Sequence, residues 1–125
     1  MLAGCGERFG LERDRAFKIA RGFGAGMGTG GLCGAVTGAY MVLGFVVGED
    51  ADERRARFRT YDLMREFDRR FEARRGSLVC KTLLGGVDLG TEAGRKEAQE
   101  RNLFKEVCRG VVRDAEEILG EMMGK

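Results

Sequence analysis

Apolar residues recur every three or four positions over three long segments of the chain, with charged residues between them. Residues 12–23 carry one such stripe, and residues 50–75 carry a second, formed by Phe58, Tyr61, Met64, Phe67 and Phe71. Residues 95–123, read as one helix or a pair, carry the third, formed by Phe104, Val107, Cys108, Val111, Ala115, Ile118, Leu119 and Met122. This spacing is typical of amphipathic helices, and no long stretch alternates with the period of two that strands show. The pattern predicts an all-α fold.

Residues 32–47 differ from these segments because they include no charged residue over sixteen positions. Their length indicates a buried helix, and it falls short of the roughly 20 apolar residues that a membrane span needs. Gly30, Gly34 and Gly38 are spaced four apart, so we expect them to lie on one helix face. A face without side chains allows close approach of another helix or of a second chain.

Shorter segments complete the prediction. Residues 1–9 form a helical stub that ends at Gly10, and residues 77–85 form a short helix with Ser77 as its N-cap. The glycine-rich segment 22–31 is expected to be a loop with unusual backbone angles. The sequence thus predicts one compact helical domain spanning residues 1–125, with five or six helices around the glycine-rich apolar helix at 32–47.

Composition removes several classes of function. The chain has 125 residues and no histidine, which excludes Ser-His-Asp catalysis, histidine-ligated metals and covalent haem c held through Cys-x-x-Cys-His. It also has no proline, which favours uninterrupted helices. The formal charge of +2 is too balanced to require a nucleic-acid partner.

Charged residues of segment 50–75 are expected to form a solvated, ion-paired face rather than an anion-binding surface. Its nine arginines are interspersed with seven acidic residues, and several of them have helical spacing. The expected pairs join Asp62 and Glu66 to Arg65, Arg69 and Arg70.

The four cysteines are the residues most in need of an explanation. No signal peptide is visible, so we expect a cytoplasmic protein in which thiols stay reduced unless they are redox-active or bind metal. There is no Cys-x-x-Cys motif. Cys33 lies at a predicted helix start and Cys80 lies in a first helical turn beside Lys81, and both settings favour the thiolate. Cys108 falls on an apolar stripe, where a cysteine is most often a small buried residue.

The glycine-rich segment contains Gly26-x-Gly28-x-x-Gly31, a formal dinucleotide fingerprint. A helix precedes it where the fingerprint requires a strand, so dinucleotide binding is not indicated. Backbone amides at the start of the following helix can still hold an anion, which makes Gly28, Gly30 and Gly34 candidate cofactor-binding residues. The alternative is a hinge between two packed helices.

The run Cys33-Gly34-Ala35-Val36-Thr37-Gly38 matches the Cys-Gly-Ala-x-x-Gly signature of the C_GCAxxG_C_C family, described as redox-active. Cys80 in Ser-Leu-Val-Cys and Cys108 in Glu-Val-Cys-Arg-Gly-Val-Val resemble the two downstream cysteines of that family. The family is similar to the non-haem part of split-Soret cytochrome c. Cys5 resembles the first family cysteine only out of register, because it precedes Gly10-Leu11 by five residues instead of some three helical turns.

The resemblance implies an all-helical redox or electron-transfer protein with an iron–sulfur cluster or a dithiol/disulfide couple. Its implied catalytic residues are Cys33, Cys80 and Cys108, and its implied metal ligands are these three and Cys5. It names neither a reaction nor the redox partner. The alternative is a non-enzymatic structural or subunit protein with buried cysteines. We also expect a homo-oligomer, with a dimer as the first guess, because residues 1–9 offer little apolar cover for the helix at 32–47.

Overall fold

The computed structural model describes residues 1–124 and confirms the all-α fold. Seven α-helices lie within these residues: α1 (Leu2–Gly6), α2 (Arg13–Ala20), α3 (Gly34–Val47), α4 (Glu53–Arg75), α5 (Cys80–Leu83), α6 (Glu92–Glu100) and α7 (Arg109–Met122). Tight turns at Glu7–Phe9 and Arg21–Phe23 extend α1 and α2, a left-handed turn lies at Gly26–Gly30 and a wide helical turn lies at Phe104–Cys108. The predicted count of five or six helices was too low.

Helix boundaries follow from local side chains and from glycines. Asp52 caps α4 by accepting hydrogen bonds from the amides of Arg54 and Arg55 at 3.0 and 3.3 Å, and Gly76 ends it with a φ of 84°. The segment expected at 95–123 is a pair of helices that begins three residues earlier, at Glu92. The two helices separate where Asn102 adopts a φ of 55°, which a right-handed helix does not allow.

Two predicted helix starts were wrong, both because of one short backbone pairing. Leu32 pairs with Val79 in an isolated antiparallel bridge, so α3 begins at Gly34 instead of residue 32. The same pairing keeps Val79 extended, and α5 begins only at Cys80. Ser77 is therefore not the N-cap: Val79 occupies that position, and the Ser77 hydroxyl accepts a hydrogen bond from the Val79 amide at 3.0 Å.

The larger core lies where α1, α3, α4 and α7 meet. Its largest fully buried side chains are Phe67, Phe71, Leu43, Ile118, Leu119, Val36 and Val42. Only the second half of the α4 stripe is buried, since Phe58 and Tyr61 are exposed and pack against each other. The helix α3 is also not covered on all sides, because Phe45 and Val46 reach solvent.

A smaller core packs α5 and α6 together beside the larger one. It consists of Cys80, Leu84, Val87, Leu89, Ala98 and Leu103. Val107 and Cys108 contact this smaller core as partly buried residues.

The glycines of α3 pack within the chain. A Cβ atom on Gly34 would lie 2.7 Å from the Phe23 carbonyl oxygen, and one on Gly38 would lie 2.9 Å from the Met1 Cβ atom. Gly30 precedes α3, so the three glycines do not form the single helix face that was predicted. The close approaches that Gly34 and Gly38 permit are made by Phe23 and Met1 of the same chain.

Ion pairs cover the solvent face of α4 as expected. Arg65 pairs with Asp62, while Arg69 and Arg70 pair with Glu66, all between neighbouring turns. The sequence did not reveal the pairs that join α4 to α7.

In those pairs, Arg74 contacts Glu117 at 2.8 Å and Arg75 contacts Asp114 at 2.5 Å. In residues 1–124, no helix is both long and apolar enough to cross a membrane.

Candidate functional site

The backbone bridge between Leu32 and Val79 places two cysteines side by side. The Cys33 amide donates a hydrogen bond to the Leu78 carbonyl at 2.8 Å, and the Cys80 amide donates to the Gly31 carbonyl at 2.7 Å. Side chains alternate between the faces of an extended backbone, so Cys33 and Cys80 share the face opposite Leu32 and Val79. They occupy diagonal positions, which in an antiparallel pair are separated by about 7–8 Å.

Three thiols line one cavity of about 410 Å³. Cys33 is the N-cap of α3, Cys80 is the first residue of α5, and Cys108 is the last residue of the wide turn before α7. Cys80 is buried, and the other two are partly buried. Residues far apart in sequence are therefore brought to one place by three separate elements.

The cavity wall is apolar. Of the residues that the structure describes, those lining it are alanines, glycines, aliphatic residues, phenylalanines, Met1, Met41 and the three cysteines. Phe17, Phe23 and Phe104 line the cavity and are also exposed to solvent. The sequence predicted that Phe104 belongs to the core and gave no role to Phe17 or Phe23 at a site. An apolar stripe with a helical period does not show which of its residues lies beside a cavity.

Burial dominates the acidity of these thiols. It raises the pKa of Cys80 to about 11, with smaller contributions from the thiolates of Cys33 and Cys108 and from Asp88. Burial also raises the pKa of Cys108, to which the Cys33 thiolate adds. The expectation of an acidic Cys80 was therefore wrong: α5 has only four residues, and desolvation outweighs the helix start and the neighbouring Lys81.

Cys5 is not brought to the other three. Its thiol contacts the Met1 sulfur at 3.7 Å, and it does not line the cavity. Burial is the main reason that its pKa is raised, and Glu116 adds to the effect.

The glycine-rich segment forms a left-handed turn against the cysteines. Ala25, Gly26, Met27 and Gly28 all have φ between 54° and 71°, and the Gly31 amide closes the turn on the Gly26 carbonyl at 2.9 Å. A Cβ atom on Gly26 would lie 2.8 Å from the Cys80 Cβ atom, so only glycine fits there. The sequence identified Gly26 as part of a formal motif but gave no reason for it.

The three glycines predicted to bind a cofactor lie in different settings. Gly34 lines the cavity beside Cys33, whereas Gly28 and Gly30 do not line it. Gly30 instead packs against Asp88, whose Oδ1 atom would be 2.6 Å from a Cβ at that position.

The three thiols line a cavity and do not form a cluster around one metal-sized position. In the part of the chain that the structure describes, no three histidine, cysteine or acidic side chains lie close enough to hold one metal ion. None of the four cysteines is in a disulfide within residues 1–124. The site as folded presents three reduced thiols to one apolar cavity.

The family model described as "Putative redox-active protein (C_GCAxxG_C_C)" matches residues 1–122. No curated protein and no solved structure matches the chain.

Proposed function

Because the chain belongs to the C_GCAxxG_C_C family, we propose that it is a redox protein acting through the thiols of Cys33, Cys80 and Cys108. One observation carries this proposal: three cysteines from three separate elements line the same cavity. Structural cysteines filling gaps in a core have no reason to share a cavity wall. The alternative, a structural or subunit protein with inert thiols, leaves this placement without a cause.

The version that the geometry supports best is a dithiol/disulfide couple of Cys33 and Cys80. Both thiols lie on one face of the same backbone bridge, at diagonal positions. A disulfide requires Cα atoms within about 7 Å, slightly less than the usual diagonal separation. Forming the bond therefore needs a small backbone movement, which the glycine-rich segment before Cys33 permits. Two thiols then release two protons and two electrons to an electron acceptor.

An iron–sulfur cluster held by cysteine thiolates is the second candidate. The chemistry of the donors suits such a cluster, because thiolates are its usual ligands. The fit is incomplete, since three thiols line the cavity and Cys5 lies elsewhere. A full set of four thiolates would require a ligand from a second chain. This need agrees with the proposed dimer.

Anaerobic purification followed by mild oxidation tests the proposal. The dithiol version predicts that an uncharged oxidant such as diamide removes two thiols per chain, and that peptide mapping links Cys33 to Cys80. The cluster version predicts visible charge-transfer absorption with bound iron and sulfide. Finding neither would refute the redox proposal and leave the structural alternative.

Serine variants identify the thiols involved. Cys33→Ser and Cys80→Ser should each abolish the disulfide, whereas Cys5→Ser should leave it intact. If Cys5→Ser abolished the oxidation instead, the cavity would not be the redox site.

We further propose a cytoplasmic location, because a reducing compartment keeps such a couple available for cycling.

A further inference from the structure

The cavity beside the thiols has the size of a small-molecule site, with a volume of about 410 Å³. Small-molecule binding sites usually have volumes of about 300–1,000 Å³ and mostly apolar walls. The size and lining of the cavity are those of a ligand site.

Three phenylalanines that line this cavity are also exposed to solvent. Phe17 on α2, Phe23 in the turn after it and Phe104 in the wide turn before α7 each line the cavity. Their exposed fractions are 54%, 37% and 48%, so each ring also reaches solvent. Large apolar side chains exposed beside a cavity are typical of binding sites. These flat rings favour a ligand that also carries an aromatic ring.

The side chains that line the cavity within residues 1–124 offer no ion pair to a charged ligand. No charged side chain is present among the described residues that line the cavity. A charge moved from water into such a wall loses its hydration without gaining an ion pair. The thiols do not change this conclusion, because burial raises the pKa of Cys80 and of Cys108 and keeps both neutral at neutral pH.

We propose that this cavity binds an uncharged, apolar small organic molecule with an aromatic ring, which enters between Phe17, Phe23 and Phe104 and lies against the thiols. The binding itself does not depend on the proposed redox function.

Two dyes that differ only in charge test the ligand class. N-phenyl-1-naphthylamine is uncharged, and 8-anilino-1-naphthalenesulfonate adds one sulfonate to the same rings. The uncharged dye should bind to the full-length chain at one site with saturable fluorescence, and the sulfonate should fail to displace it. Absence of saturable binding, or displacement by the sulfonate at equal concentration, overturns the proposal.

The chain supplies a matched control for the location of the dye. Phe17 and Phe58 are exposed by 54% and 52%, and each carries a stacked arginine, Arg13 at 5.3 Å and Arg54 at 5.7 Å. Only Phe17 lines the cavity. Phe17→Ala should weaken binding of the uncharged dye by about three- to tenfold, as expected for one aromatic contact. Phe58→Ala should leave the affinity unchanged, and an equal loss in both variants would refute this location.

Protection of the thiols gives a second readout. Bound dye should slow alkylation of Cys33 and Cys108 by iodoacetamide and leave Cys5, which does not line the cavity, at its original rate. Equal protection of all cysteines would place the dye elsewhere and contradict the proposal. Dye binding without disulfide or cluster formation would refute the proposed redox function alone.

Discussion

The larger core and the region around the thiols differ in how completely side chains fill them. Where α3, α4 and α7 meet, large side chains such as Phe67, Phe71 and Leu43 fill the interior completely. Around the thiols, glycines such as Gly26 and Gly34 line the wall together with alanines, aliphatic residues and phenylalanines, and a cavity remains. The difference suggests that stability is concentrated in the first region, which leaves the second free to hold reactive groups and a ligand.

Electrostatics divides the two regions in the same way. Arg74 and Arg75 of α4 pair with acidic residues of α7, and the Tyr40 hydroxyl of α3 donates a hydrogen bond to Asp68 of α4 at 2.5 Å. Burial and neighbouring anionic groups raise the pKa of Cys80 and of Cys108, and no cation contributes to either shift. Side-chain ion pairs cross-link the first region, whereas backbone hydrogen bonds of Cys33 and Cys80 join the elements of the second.

A matched pair of leucines gives the largest expected effect. Leu43 is buried in the larger core, and Leu84 is equally buried but lines the cavity. Leu43→Ala should lower the free energy of unfolding by about 4 kcal/mol, because a closed void remains. Leu84→Ala should cost only about 2 kcal/mol, because its space joins an existing cavity. Urea denaturation measures both, and equal losses would end the distinction between the two regions.

The second prediction concerns acidity. Deprotonation of Cys80 in the folded chain should have its midpoint near pH 11, since burial raises its pKa to about 11. Because thiolate is the reactive form, alkylation by iodoacetamide should rise with pH well beyond the point at which an ordinary thiol levels off. At neutral pH, the rise of the Cys80 pKa from 9.0 to about 11 makes its thiolate fraction about a hundredfold smaller.

Mass spectrometry of the Cys80 peptide follows this reaction residue by residue. The same thiol in the urea-unfolded chain is the control, and its profile should level off near its ordinary pKa. Identical profiles in the folded and unfolded chain would show that the cavity does not exclude water from Cys80.

Close backbone packing around the thiols gives the third prediction, with Gly44 in the same helix as a control. Gly34→Ala should cost about 1–3 kcal/mol by overpacking, because the new Cβ atom would lie 2.7 Å from the Phe23 carbonyl oxygen. Gly44→Ala should instead add about 0.5–1 kcal/mol, since nothing lies within 4 Å of that position. Thermal or urea unfolding distinguishes the two signs, and stabilisation by both changes would contradict the tight packing beside Cys33.

The smallest effect is expected in the left-handed turn. Ala25 has a φ of 54°, which costs an alanine about 1–2 kcal/mol. Ala25→Gly should remove this cost and, after the entropy of glycine is counted, stabilise the chain by about 0.5–1 kcal/mol. Ala73→Gly, in the exposed part of α4, should destabilise it by about 1 kcal/mol. If both variants lost stability, Ala25 would not hold the left-handed conformation in solution.

Residue periodicity predicted the all-α class and the ends of several helices, because these depend on neighbours in sequence. The capping of α4 by Asp52 and its termination at Gly76 are local in this sense, as are the ion pairs of Glu66 with Arg69 and Arg70. The starts of α3 and α5 were missed, because the pairing of Leu32 with Val79 joins residues 47 positions apart. No local pattern contains that information.

The cysteines show the same division. Sequence alone determined which residue types are available: thiols without histidine, in a spacing that resembles a redox family. Only the tertiary structure decided that Cys33, Cys80 and Cys108 share one cavity and that Cys5 stays outside it. It also decided that Cys80 is a weaker acid than an ordinary thiol. The physical reason is that proximity and desolvation depend on which elements pack together, and packing joins side chains irrespective of their distance along the chain.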